Sequence, residues 1–219
     1  MTTSLSFVTI ARVSAILLFC LGIYGLQAES KLFYTKDFPG SMPAFVYITL
    51  EPSGKCEYRE ALDDDAPFVF QLSADETEQI FELAKKLDHF NRPLESPLKV
   101  AKMGTKTFRF EDGQTKHEVK YNFSEDLDAR ALQDWFERVS ETAQLFAVLQ
   151  RSVKYDKLGV NKVTVQIESA LTRGRLVSGE SFLPLLDRIA KNDAFLNIAR
   201  HRASQIAELI RHPELRATK

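Results

Sequence analysis

From Ser124 to Tyr155 the chain runs without a proline or a glycine, and Leu132, Phe136, Val139, Ala143, Phe146, Leu149 and Val153 recur through it at helical spacing. The pattern predicts one amphipathic helix of roughly 30 residues, about 45 Å long at about 1.5 Å per residue, with its end marked by Gly159. Such a helix is longer than a small sheet needs for cover. Its second half should carry something else, which the chain beyond Tyr155 must supply.

Strand signals precede it. Residues 44–50 (AFVYITL) are apolar or β-favouring, Pro52-Ser53-Gly54 interrupts them, and alternation resumes from Cys56 to Glu60, which reads as a hairpin. Phe68, Phe70 and Leu72 share one face of a third strand. Ser73 with Glu76 forms a capping box before Ile80, Leu83, Ala84 and Leu87, a helix stopped by Asn91-Arg92-Pro93. Further strands are expected over 98–102, 105–111 and 115–123, the last two joined by Asp112-Gly113. On them Phe108, Phe110, Val119, Tyr121 and Phe123 point one way, and Thr107, Arg109, Glu111, Lys116, Glu118, Lys120 and Asn122 the other.

After the long helix, residues 163–171 read as helix, although Val163 to Ile167 also alternate as a strand would. Two more helices are expected, one from Ser181 to Lys191 with Pro184 in its first turn, and one from Asp193 to Arg211, with Asp193 as the cap between them. The order defines an α+β fold: an antiparallel sheet covered on one face by helices, followed by a C-terminal helical extension. The expected divisions are 1–28, 29–155 for the sheet and helices through the long one, and 156–219 for the extension packed on it.

The first of these reads as a signal peptide. Arg12 precedes an apolar run from Val13 to Leu26, 14 residues against the roughly 20 needed to span a bilayer, and Ala28 offers a small residue for cleavage before Glu29. An uncleaved anchor over 13–26 is the alternative. Cys20 lies inside the apolar run after Phe19, which argues against lipidation. Loss of 1–28 leaves Cys56 as the one cysteine, so a core rather than a disulfide must hold the fold. It also leaves 28 basic and 30 acidic residues, a balance that argues against nucleic acid or an anionic membrane surface as partner.

With its FPGS turn at 38–41, the apolar strand before a glycine turn, the capped helix and the paired strands before a helix, the segment 33–150 resembles uncharacterised exported bacterial domains of unknown function. The resemblance is one of layout. It implies a periplasmic or secreted protein of bacterial type and brings no catalytic residues. The stretch 181–211 resembles a single HEAT-type helical hairpin, through Phe182-Leu183-Pro184, Asp193, Ile198, Arg200 and Ala203. It departs from that family's spacing between aspartate and arginine by one position and has no neighbouring repeat.

No motif carries chemistry. Asp63-Asp64-Asp65 lacks the spacing and glycine of a calcium loop and reads as a solvated turn. His89, His117, His201 and His212 sit on separate elements without metal-binding spacing. Gly179-Glu180-Ser181 lacks the second glycine of a nucleophile elbow, so Ser181 is expected as a helix cap. Met103 to Lys106 is too short for a phosphate loop. Asn122-Phe123-Ser124 matches a glycosylation acceptor, but Ser124 is better placed to cap the long helix. Trp135 reads as a core or junction anchor.

The expectation is therefore an exported, non-enzymatic binding or scaffolding module without cofactor or metal, with an unidentified protein partner meeting Arg109, Lys120, His117 and Trp135. The competing expectation is an enzyme or ligand-binding protein whose site lies where the sheet meets the helical tail, drawn from Glu57, Arg59, His117 and Trp135.

Overall fold

The computed structural model describes residues 30–65 and 67–216, so the expected leader or anchor lies outside the described residues. Six strands form one antiparallel sheet: β1 (Lys31–Asp37), β2 (Phe45–Leu50), β3 (Lys55–Arg59), β4 (Phe68–Gln71), β5 (Thr105–Glu111) and β6 (Lys116–Tyr121). Their spatial order is β4-β3-β2-β1-β5-β6. The helices are α1 (Ala74–Lys86), α2 (Leu127–Tyr155), α3 (Val160–Thr172), α4 (Leu183–Ala190) and α5 (Asn197–Arg211).

Alternation decides which face of the sheet is covered. Leu32, Tyr34, Val46, Ile48, Leu50, Phe108 and Tyr121 are buried in one core with Ile80 and Ala84 of α1 and Leu132, Phe136 and Val139 of α2. Tyr34 stacks flat on Phe136 at 4.9 Å between ring centres. Cys56 is buried in the same core, and desolvation pushes its thiol above the ordinary range. The β2–β3 turn needs Gly54: its φ is +85°, and a Cβ there would sit 2.7 Å from the Leu72 carbonyl oxygen.

The long helix serves two cores. Its first half, through Ala143, belongs to the sheet core, while Leu149 and Val153 pack with Val163 and Ile167 of α3, Leu186 and Ile189 of α4, and Ile206 and Ile210 of α5. Phe146 joins the two, stacked on Phe68 of β4 at 4.7 Å and edge-on to Phe182 at 5.3 Å. On the other side Glu76 ties them: one carboxylate oxygen accepts from Ser73 in the capping box, and the other accepts from the Ser178 backbone amide ahead of the last two helices. Residues 160–172 are helical, not a strand.

Several boundaries differ from expectation. The central strand β1 is not among the expected strands; it hydrogen-bonds to both β2 and β5. Residues 98–102 form no strand; the Asn122 side chain bridges the end of the segment, its amide donating to the Ala101 carbonyl (3.1 Å) and its oxygen accepting from the Met103 amide (2.7 Å). The cap of α2 is Asp126, not Ser124; the Asp126 carboxylate accepts from the amides of Asp128 and Ala129, and the Ser124 hydroxyl accepts from the amide of Asp126. Gly159 does not end α2 but begins α3. Ser181 caps no helix: it lies in a 3₁₀ turn, Gly179–Phe182, with its hydroxyl 2.9 Å from that of Ser178. Asp193 likewise does not cap α5, which starts four residues later, and instead pairs with Arg200 at 2.5 Å. The end of α1 is a left-handed turn, with φ of 53°, 47° and 69° at Asp88, His89 and Phe90.

Candidate functional site

The residues singled out from sequence fall in three places. Arg109 and Lys120 lie together on the wetter face of the sheet, both against Glu118 (4.0 and 3.3 Å), and the Arg109 guanidinium covers the Phe33 ring at 3.9 Å. Glu57 and Arg59 pair on that face at 3.3 Å. His117 belongs to the opposite, helix-side face of β6 beside the Asp88–Phe90 turn, with its Nδ1 buried and unpartnered. Trp135 is enclosed in the sheet core, with the Arg138 guanidinium 3.6 Å over its ring and Arg138 donating to the Gly174 carbonyl. Trp135 thus offers no platform to solvent, and it is Arg138, seated on its ring, that meets the chain leading from α3 to α4. The proposed grouping of Glu57, Arg59, His117 and Trp135 is thus not assembled.

A hollow does lie where the sheet meets the long helix, but other residues form it. The loop before β2, the β3–β4 connection and the middle of α2 enclose a cavity of about 430 Å³. Ala143 and Ala147, one turn apart on α2, leave the helix surface low there, and Pro43, Phe68, Val148 and the exposed Met42 supply the rest of an apolar wall. The volume falls within the roughly 300–1,000 Å³ typical of small-molecule sites.

One end of the cavity is polar. Alternation turns Tyr58 of β3 toward the helix side, where it is buried and meets three partners. Its hydroxyl donates to the Glu60 carboxylate at 2.8 Å and accepts from the Gln144 amide at 3.1 Å, with the Ser140 hydroxyl at 3.5 Å. Gln144 is held by Ser140 one turn earlier on the same helix. Burial pushes the phenol up to about 12, so it remains a proton donor at neutral pH. Asp64 and Arg151 complete the rim, and among the described residues no ion pair or hydrogen bond engages Arg151. The lining contains no serine, threonine, cysteine or histidine. No group of three metal-ligating side chains occurs among the described residues, and no described helix is long and apolar enough to cross a membrane.

A second hollow, between α4 and α5, presents Lys191, Arg200 and Arg211. Both arginines are already paired, with Asp193 and Asp187 at 2.5 and 2.6 Å, which leaves little charge for a ligand.

Sequence reasoning missed the junction hollow because Tyr58 and Gln144 share no motif. The only prior signal was alanine at 143 and 147 within an otherwise bulky helical stripe.

Fold and hollow define the class: an α+β protein with a helical extension and a preformed pocket at the seam. Beyond that class, no protein-family model matches the chain and no curated protein matches it significantly.

Proposed function

We propose that this chain is an exported binding protein without catalytic activity, and that the hollow between the β3–β4 end of the sheet and the middle of α2 is its binding site. The observation that carries the reading is the Tyr58 cluster. A phenol fixed by Glu60, Gln144 and Ser140 at the end of an apolar cavity is a preorganised polar group of the kind that orients a small ligand. Its raised pKa favours donation over proton abstraction, and the lining holds no serine, threonine, cysteine or histidine. Export rests on the apolar run from Val13 to Leu26 and the small residue at Ala28.

Two measurements test this. Anilinonaphthalene sulfonate fluorescence should rise saturably with the folded protein and lose that rise in Ala147→Trp, which fills the cavity from an exposed helix position and leaves the melting temperature unchanged. Equal dye binding by both proteins contradicts the site. The mass of the product from an exporting host should correspond to a chain beginning at Glu29; a cytosolic product retaining Met1 contradicts export.

A further inference from the structure

We infer that the hollow takes a neutral apolar molecule ending in a hydroxyl, of which an alkylphenol is the simplest form. The inference rests on the binding reading above and adds the ligand class, which follows from the donors and acceptors already committed at the Tyr58 end. The Tyr58 hydroxyl gives its one proton to Glu60 and receives from Gln144, with the Ser140 hydroxyl at 3.5 Å. The Gln144 amide nitrogen directs its two protons to the Tyr58 and Ser140 hydroxyls, at 3.1 and 3.2 Å. Among the described residues, nothing donates to Gln144 Oε1 or to the second oxygen of Glu60. Every side-chain proton of Tyr58 and Gln144 is therefore placed, and the groups left open at this end only accept.

A ligand that fits this end must bring a proton. A hydroxyl on an apolar body supplies one to Gln144 Oε1 or to Glu60, while the body lies along Phe68, Ala147 and Val148. An ether of the same shape would strip water from these acceptors and leave them unpaired, which is how a site built around a hydroxyl rejects an analogue lacking it. A carboxylate placed here would meet the Glu60 carboxylate and bring no proton. The requirement is for a proton and not for a charge, so the ligand needs no charge. Arg151, the cation in the lining, follows Gln144 by seven residues of α2, about 10 Å along the axis, and makes no hydrogen bond to either acceptor.

Calorimetric titration of the folded protein with 4-propylphenol, 4-propylaniline and 4-propylanisole tests this, because the three share a body and only the methyl ether has no proton to donate. Saturable binding is expected for the phenol and the aniline, and binding about tenfold weaker for the ether, the scale of an acceptor desolvated and left unpaired. Glu60→Gln, at an exposed position, puts an amide N–H at the polar end and should narrow the preference for phenol over ether to about twofold. Gln144→Met, which keeps the length of the side chain and removes its oxygen, should narrow it likewise. Unchanged melting temperatures show that both variants fold. Equal affinity of the unaltered protein for phenol and ether overturns the inference, as does a tenfold preference that survives in both variants. So does the absence of heat with all three compounds while anilinonaphthalene sulfonate still binds in a manner sensitive to Ala147→Trp, an outcome that leaves the binding reading standing. Failure of the dye and all three compounds together removes both.

Discussion

The side-chain amide of Gln144 donates to the Tyr58 hydroxyl over 3.1 Å, joining β3 to the long helix across 86 residues of sequence. The bond lies at the boundary between the two cores, and it gives the seam of the molecule a fixed polar end.

Tyr58→Phe removes that hydroxyl and leaves Glu60 and Gln144 without it, while the ring keeps its place. A loss of about 1 kcal/mol in unfolding free energy is expected, because both partners reach water at the rim. Urea unfolding of the two proteins measures it, and the dye affinity should fall in parallel.

Phe146 carries the contact between cores, packed on Phe68 and Phe182. Phe146→Ala should cost about 2 kcal/mol, less than full burial would give because the ring is only half-buried. If the cores are coupled through this ring, hydrogen exchange in α4 and α5 should quicken relative to the central strands, a difference absent from the wild type.

Tyr34 is buried against Phe136, yet its hydroxyl has no hydrogen-bond partner among the described residues. Tyr34→Phe should therefore leave stability within about 0.5 kcal/mol or raise it, whereas Tyr34→Ala should cost about 3–5 kcal/mol through the cavity it opens. Chemical denaturation of the pair separates the ring from its oxygen.

Asp126 gives an acid limb to stability. The Arg92 guanidinium at 2.6 Å, helped by the amides of Ala129 and Asp128, holds its carboxyl below the usual carboxylate range. A group with a depressed folded pKa contributes stability that is fully present above its unfolded value near about 4 and is lost as the pH falls through the lower folded value. Melting temperatures taken between pH 5 and pH 2 should fall less steeply for Asp126→Asn, which still caps the helix but cannot titrate.

Much of this fold is legible locally. The Ser73–Glu76 capping box is present as read, and the absence of any breaker between Ser124 and Tyr155 does produce one continuous helix. The failures are where a distant group overrides the local pattern. Residues 98–102 look like a strand, but their Ala101 carbonyl accepts from the Asn122 side chain instead of joining a ladder. The left-handed turn at Asp88–Phe90 contains no glycine to announce it; Phe90 stacks on Phe108 of β5 and His89 packs tilted against Phe110 instead. Glu76 was readable as a cap and not as the acceptor for Ser178, 102 residues on. The hollow is illegible for the same reason, since strand alternation places Tyr58 inward but only the docking of α2 brings Gln144 to it.

The most direct test is an amide NMR titration of the folded protein with anilinonaphthalene sulfonate. Binding at the seam predicts shift changes concentrated at residues 42–43, 58–68 and 143–151, with Phe33, Tyr47 and Arg109 on the far face of the sheet unmoved. Changes centred on those three residues, or spread without focus over the surface, would contradict it.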